Sequence, residues 1–158
     1  MPRAKGVKLV PKKILVPIDF SPSSEAALRQ ASALAKQLHA EIHLAHVIPM
    51  FTATKIADFV PEAEFAAEAK KEAERQFAIR KSVLAGRGIK ASSSIEVSND
   101  VVGSVLNLIA TKRIDMMVVS THGVTGWHPL VFGSITEKLV KLARIPVLLI
   151  RSAQPAAA

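Results

Sequence analysis

The sequence predicts an α/β fold: a single open parallel sheet of five strands with helices on both faces. Three observations point there. Five short strand-like segments alternate with four helical stretches along the 158 residues. The composition is 49% hydrophobic but only 4% aromatic, which implies an aliphatic, alanine-rich core of the kind layered α/β domains bury. The first run, Lys13–Ile18, is also short and apolar, as expected of a strand covered on both sides.

Each element has its own signal. Lys13–Ile18 is the first strand. Ser21 is placed to cap the helix that follows, with Pro22 in the first helical position. Ala27, Leu28, Ala31, Leu34, Ala35 and Leu38 then recur on one face of that helix. Glu41–Val47 reads as the second strand and Pro49–Val60 as a connection. A long Ala/Glu/Lys helix follows over Pro61–Ala85, stopped by Gly86-Arg87-Gly88. That Gly-x-Gly pair lies after a helix and before a strand and lacks a third glycine, so it is a helix stop and not a dinucleotide fingerprint. Ile89–Val97 is the third strand. Ser98 or Asn99 caps a helix over Asp100–Lys112, and Ile114–Val119 is the fourth strand. Ser134–Ala143 forms the last helix, with Ser134 and Glu137 in a capping-box pattern, and Ile145–Ile150 the last strand.

Composition limits the function classes. The chain has no cysteine, which removes disulfides, thiolate nucleophiles and cysteine-ligated metals. No run approaches the ~20 apolar residues of a membrane span. The basic start is not followed by an apolar stretch of signal-peptide type. A soluble, cytoplasmic protein is expected. The formal charge is +8, and Arg3, Lys5, Lys8, Lys12 and Lys13 gather at the start without an acid among them. No aromatic residue interleaves them to stack on bases, so residues 1–12 read as a solvated basic arm and not as a nucleic-acid surface. Residues 13–151 are then the domain and 152–158 a tail.

The chemistry concentrates where an apolar strand runs into Ser120-Thr121-His122-Gly123-Val124-Thr125-Gly126 and returns through Phe132-Gly133-Ser134-Ile135-Thr136-Glu137. A loop of small residues exposes backbone N–H groups. The helix start behind it adds more N–H groups and a positive dipole end, which together favour a phosphate. The first strand ends in Asp19, the other strand end that stands out chemically. His43 is read as a packed or edge histidine, and Trp127 as packing the loop. His122 and His128 lack nearby carboxylates and make a poor metal site. No Walker A sequence, Cys/His pair or Ser–His–Asp relay is present. Asp19 is placed like a phospho-accepting receiver aspartate, but the second acid and the lysine of a receiver are missing.

Taken together, these residues resemble the universal stress protein family, in its ATP-binding branch. That family's motif is Gly, two residues, Gly, nine residues, Gly, then Ser or Thr. Here Ser120 holds the first position, and Gly123 and Gly133-Ser134 the others. Ile14-Leu15-Val16-Pro17-Ile18-Asp19-Phe20-Ser21 is similar to its first strand and acidic turn, His46-Val47 to the end of its second strand, and Ala143–Arg151 to its last strand.

The resemblance implies strand order 3-2-1-4-5 and ATP with Mg2+ as the ligand. It places Asp19 at the ribose with Pro17 and Ile18 beside it, and Val47 at the adenine. Ser120, His122 and Gly123 form the near side of the phosphate loop; Gly133, Ser134, Ile135 and Thr136 form the far side. Slow ATP hydrolysis or self-phosphorylation is the most it allows. It also implies a homodimer joined through the exposed fifth strand. Ser120 in place of glycine, and the absence of Lys or Arg from Val124–Pro129, predict weaker or more metal-dependent ATP binding. The alternative is a stress-protein dimer that binds no nucleotide and acts through its surface.

Overall fold

A computed structural model describes residues 10–50, 61–121 and 133–151. Its elements are β1 (Lys13–Pro17), α1 (Pro22–Leu38), β2 (Glu41–Ile48), α2 (Glu62–Gly86), β3 (Ala91–Val97), α3 (Val101–Thr111), β4 (Met116–Ser120), α4 (Ser134–Leu142) and β5 (Val147–Ile150). All strand pairs are parallel, in the order β3-β2-β1-β4-β5. Order therefore reverses between β1 and β4, which opens a crevice at their carboxyl ends.

Continuously apolar strands are buried on both faces here because each face has its own pair of helices. Ile14, Val16, Ile42, Leu44 and Val118 pack with Ala27, Ala31 and Ala35 of α1 and Phe77 and Leu84 of α2. Leu15, Ala45 and Met117 pack on the other face with Val105 and Leu108 of α3 and Leu139 of α4. Each such aliphatic side chain contributes roughly 1.5–3 kcal/mol by leaving water. Alanines along α1 let that helix approach the sheet closely.

Several element ends differ from the sequence expectation. Asp100, not Ser98 or Asn99, caps α3: its carboxylate accepts from the Gly103 N–H at 2.8 Å. Asn99 instead accepts from the Met50 N–H, and the Ser98 hydroxyl accepts from the Asp100 N–H. The expected capping box on α4 is absent. Gly133 is the N-cap residue, Ser134 is the first helical residue, and there is no side-chain cap bond. Glu137 pairs forward with Lys141 at 2.6 Å. Gly88, at φ 77°, makes the turn that ends α2, as its position in the sequence suggests. Ile89 and Ile145 lie just before their strands, not inside them.

Before β1, Pro11 is already buried, and Asp115 accepts from the backbone N–H groups of Lys12 and Lys13 at 2.9 and 3.0 Å. The chain is thus tied to the sheet from residue 11. Residues 1–9 and 152–158 lie outside the described residues.

Ser21 caps α1 as expected, accepting from the Ser24 N–H at 3.2 Å. It is itself buried. Ser21→Ala is expected to lower stability by about 1 kcal/mol, read as a shift in the urea midpoint. An unchanged midpoint would show that Asp19 and Pro22 hold this helix start without it.

Candidate functional site

The crevice between β1 and β4 holds a cavity of about 240 Å3. Pro17, Ile18 and Asp19 supply its β1 side, Ala45, His46 and Val47 its β2 side, and Val119 and Ser120 its β4 side. Val101 and Val105 of α3 and Leu139 of α4 form an apolar wall. Gly133, Ser134, Ile135 and Thr136 close the remaining side with the start of α4. Nine of the residues expected from the sequence thus line one cavity. His122 and Gly123, with Trp127 and His128, lie outside the described residues.

The local geometry explains how each group is held. Asp19 is exposed, and one carboxylate oxygen accepts from the Ser21 N–H at 2.9 Å, which fixes the turn between β1 and α1. Phe20 between them has φ 63°, a conformation that costs a bulky residue of order 1–2 kcal/mol. Its ring compensates by packing 4.6 Å from His46 and 5.7 Å from Phe77, with the Arg80 guanidinium 5.0 Å from its centroid. This arrangement presents the Asp19 carboxylate at the cavity mouth.

The far side is tied to the sheet. Thr136 is buried and its hydroxyl donates to the Ser120 carbonyl at 3.0 Å. The Gly133 N–H donates to the Thr121 carbonyl at 3.0 Å, and the Gly133 carbonyl accepts from Glu137 N–H at 2.9 Å. Two groups assigned to phosphate by resemblance therefore also lock α4 onto the end of β4. The N–H groups of Ser134, Ile135 and Thr136 belong to the first turn of α4, whose donors have no partner within the helix. A helix start of this kind favours an anion.

His46 is a cavity residue that sequence reasoning used only as part of a strand-end motif. Its Nδ1–H donates to the Ile18 carbonyl at 2.7 Å, so Nε2 is the bare nitrogen of the neutral ring. Burial pushes its pKa below the usual histidine value, opposed by that hydrogen bond and by Asp19. Val101, Val105 and Leu139 were also missed as site residues. Their helical periodicity marks them as core, and nothing in it tells which core residues face a crevice. His43 lies away from the cavity, buried in β2, with its ring nitrogens 2.7 and 2.8 Å from the hydroxyls of Ser92 and Ser94 on β3. It is a packed histidine, as expected. Among the described residues, no group of three His, Cys, Asp or Glu side chains is arranged to hold a metal ion.

The universal stress protein family profile matches residues 11–151 of the chain. The chain belongs to the universal stress protein family. Universal stress protein YxiE of Bacillus subtilis is 32% identical over 147 residues, spanning 88% of this chain and 98% of that one. The solved structure of MJ0577, a universal stress protein of Methanocaldococcus jannaschii, superimposes with a TM-score of 0.81 at 27% identity. It covers 93% of this family member and 100% of its own chain. The universal stress protein of Archaeoglobus fulgidus in complex with dAMP shares the fold, with a TM-score of 0.63 at 18% identity over 89% of this chain and 98% of that one. Among the described residues of this universal stress protein, no helix is long and apolar enough to cross a membrane.

Proposed function

We propose that this cavity binds an adenine nucleotide, ATP carried with Mg2+, and that the protein is a cytoplasmic, homodimeric stress-response regulator or sensor. The observation that carries the reading is the convergence of Asp19, Val47, Ser120 and the first turn of α4 on one crevice. Its apolar wall of Val47, Val101 and Val105 suits a flat base. Its polar mouth suits the rest of the ligand: Asp19 accepts from ribose hydroxyls, and the α4 N–H groups donate to phosphate oxygens. The relative from Archaeoglobus fulgidus, complexed with dAMP, supports the ligand class. The metal would arrive on the phosphates, with hydroxyls such as that of Ser134 completing its shell. Binding, and not turnover, is the role these residues support. Slow hydrolysis or self-phosphorylation is the upper bound.

Calorimetric titration of Mg-ATP into protein stripped of nucleotide tests this, with AMP as comparison. Saturable binding, tighter for ATP than for AMP, is expected. Asp19→Ala should weaken both nucleotides at least tenfold, since a hydrogen bond to a charged group contributes about 1.5–3 kcal/mol. Asp19→Asn, which keeps an acceptor for the Ser21 N–H, separates the ribose contact from the turn. Equal affinity of all three proteins would remove Asp19 from the site.

The second reading is a dimer that binds no nucleotide. It is favoured by Ser120, buried where the family motif has glycine. No heat at millimolar ATP, checked at two temperatures, would select it. Both readings place the dimer seam on β5, the edge strand, where Leu148 is 37% exposed. Light scattering at micromolar concentration should return a dimer mass. A monomer would overturn the seam.

A further inference from the structure

A second cavity of about 290 Å3 lies between α1 and α2. Leu28, Ser32 and Leu84 form its buried floor. Its α2 lip is made by Ile79 and Val83, which are 56% and 51% exposed. Four residues apart, they stand on one helix face about 5–6 Å from each other. The buried residues of α2 are Ala73, Phe77 and Leu84, so Ile79 and Val83 project beyond the seam that docks this helix. An apolar lip over a floor of two leucines and one serine, its hydroxyl bonded to the Leu28 carbonyl, has the form of a groove for a further helix.

The charge around it has one sign. Arg29, Arg80 and Arg87 line the groove, against Glu25 alone, and Glu25 is held by Arg80. Among the described residues neither Arg29 nor Arg87 forms an ion pair. No Asp or Glu occurs from Ala26 to Ala40 of the α1 stretch, or from Arg75 to Ile95 across the end of α2. With Glu25 paired to Arg80, the groove keeps a net positive charge from Arg29 and Arg87. A partner with a carboxylate on each flank finds complementary charge, and its apolar face covers the exposed isoleucine and valine.

We propose that the α1–α2 groove docks an acidic amphipathic helix of a partner protein. Apolar side chains at i and i+4 of that helix seat between Leu28 and the Ile79–Val83 lip, and flanking carboxylates meet Arg29 and Arg87. The groove and the switch-point cavity share no lining residue, so this docking does not require a nucleotide there. An extended polyanion is disfavoured, because it would leave the apolar surface of Leu28, Ile79, Val83 and Leu84 uncovered.

The test uses a fluorescein-labelled synthetic helix of 18 residues with leucines on one face and glutamates on the flanks. The control peptide has the same composition with its leucines spread around the helix. Anisotropy should give saturable binding at least tenfold tighter for the first peptide. In nitrogen-15 spectra of the full-length protein, shifts should gather at Leu28, Ser32, Ile79, Val83 and Leu84. Val83→Asp and Arg87→Glu, both at exposed positions and checked for native circular dichroism, should each weaken binding at least tenfold. Equal binding of the two peptides, shifts elsewhere, or unaffected binding by both variants would overturn the proposal. Self-association abolished by Val83→Asp would also overturn it, by giving the groove to a second copy of this chain.

Discussion

Phe77→Ala is expected to remove about 3–5 kcal/mol of folding stability. Phe77 is 1% exposed and heads the fully buried side chains of the described core. It matters more than its area suggests because α2, with 25 residues, buries only Ala73, Phe77 and Leu84. Replacing the ring leaves a cavity under a helix with few other anchors. The same ring lies 5.7 Å from Phe20 and 6.5 Å from His46, so it also backs the wall of the cavity between β1 and β4. Phe20 sits at φ 63°, and the packing that offsets this conformation is lost with Phe77. Urea denaturation measures the first effect. The same variant in the Mg-ATP titration measures the second, and weaker binding is expected. A loss below about 1 kcal/mol would mean that α2 is held by contacts outside this seam. Phe77→Leu should recover much of the stability but not the ring contacts with Phe20.

Stability should fall as pH drops from about 7 towards 4, and His43 should account for a large part of the fall. Burial pushes its pKa down from 6.5 to about 4, with Lys13 and Lys112 adding to the shift. The folded protein therefore keeps this ring neutral through a range in which the unfolded chain protonates it. Between the two pKa values the unfolded state binds more protons, so stability rises with pH there. The contribution is fully present above 6.5 and is lost as pH falls to about 4. Its size is roughly 3 kcal/mol, from about 1.4 kcal/mol for each pKa unit. His46, also lowered, acts in the same direction. Comparing urea midpoints of wild type and His43→Gln at pH 7.5, 5.5 and 4.5 isolates the term, since the carboxylates titrate alike in both. Parallel pH profiles would show that His43 does not carry it.

The crevice was legible to different degrees at different residues. Asp19 and Ser120 could be read because a polar residue after an apolar strand marks a carboxyl end. Gly133 and Thr136 could be read as members of a loop-to-helix pattern, but their hydrogen-bond partners could not. That the Thr136 hydroxyl donates to Ser120, 16 residues away, depends on where β4 and α4 come to rest. The capping box at Ser134 was misread for a related reason. A local pattern competes with tertiary bonds, and the bond from Gly133 N–H to Thr121 moved the helix start one residue back. Val101, Val105 and Leu139 carry no chemical mark at all, so only the packing of α3 and α4 shows that they line the crevice.

Element type and sequence order were decided by the chain itself. Apolar runs such as β1 and β4 demand cover on both faces, and strands alternating with helices admit little besides parallel crossovers. Strand order could be expected only by resemblance to a family, because nothing local determines which strand lies beside β1. Tertiary structure decided that β4 pairs with β1, and so where the crevice opens. It also decided that Phe20, His46, Phe77 and Arg80, spread over 61 residues of sequence, form one stack. The physical reason is range: propensity and capping act over a few residues, whereas sheet pairing and burial act between segments that meet only when the whole chain packs.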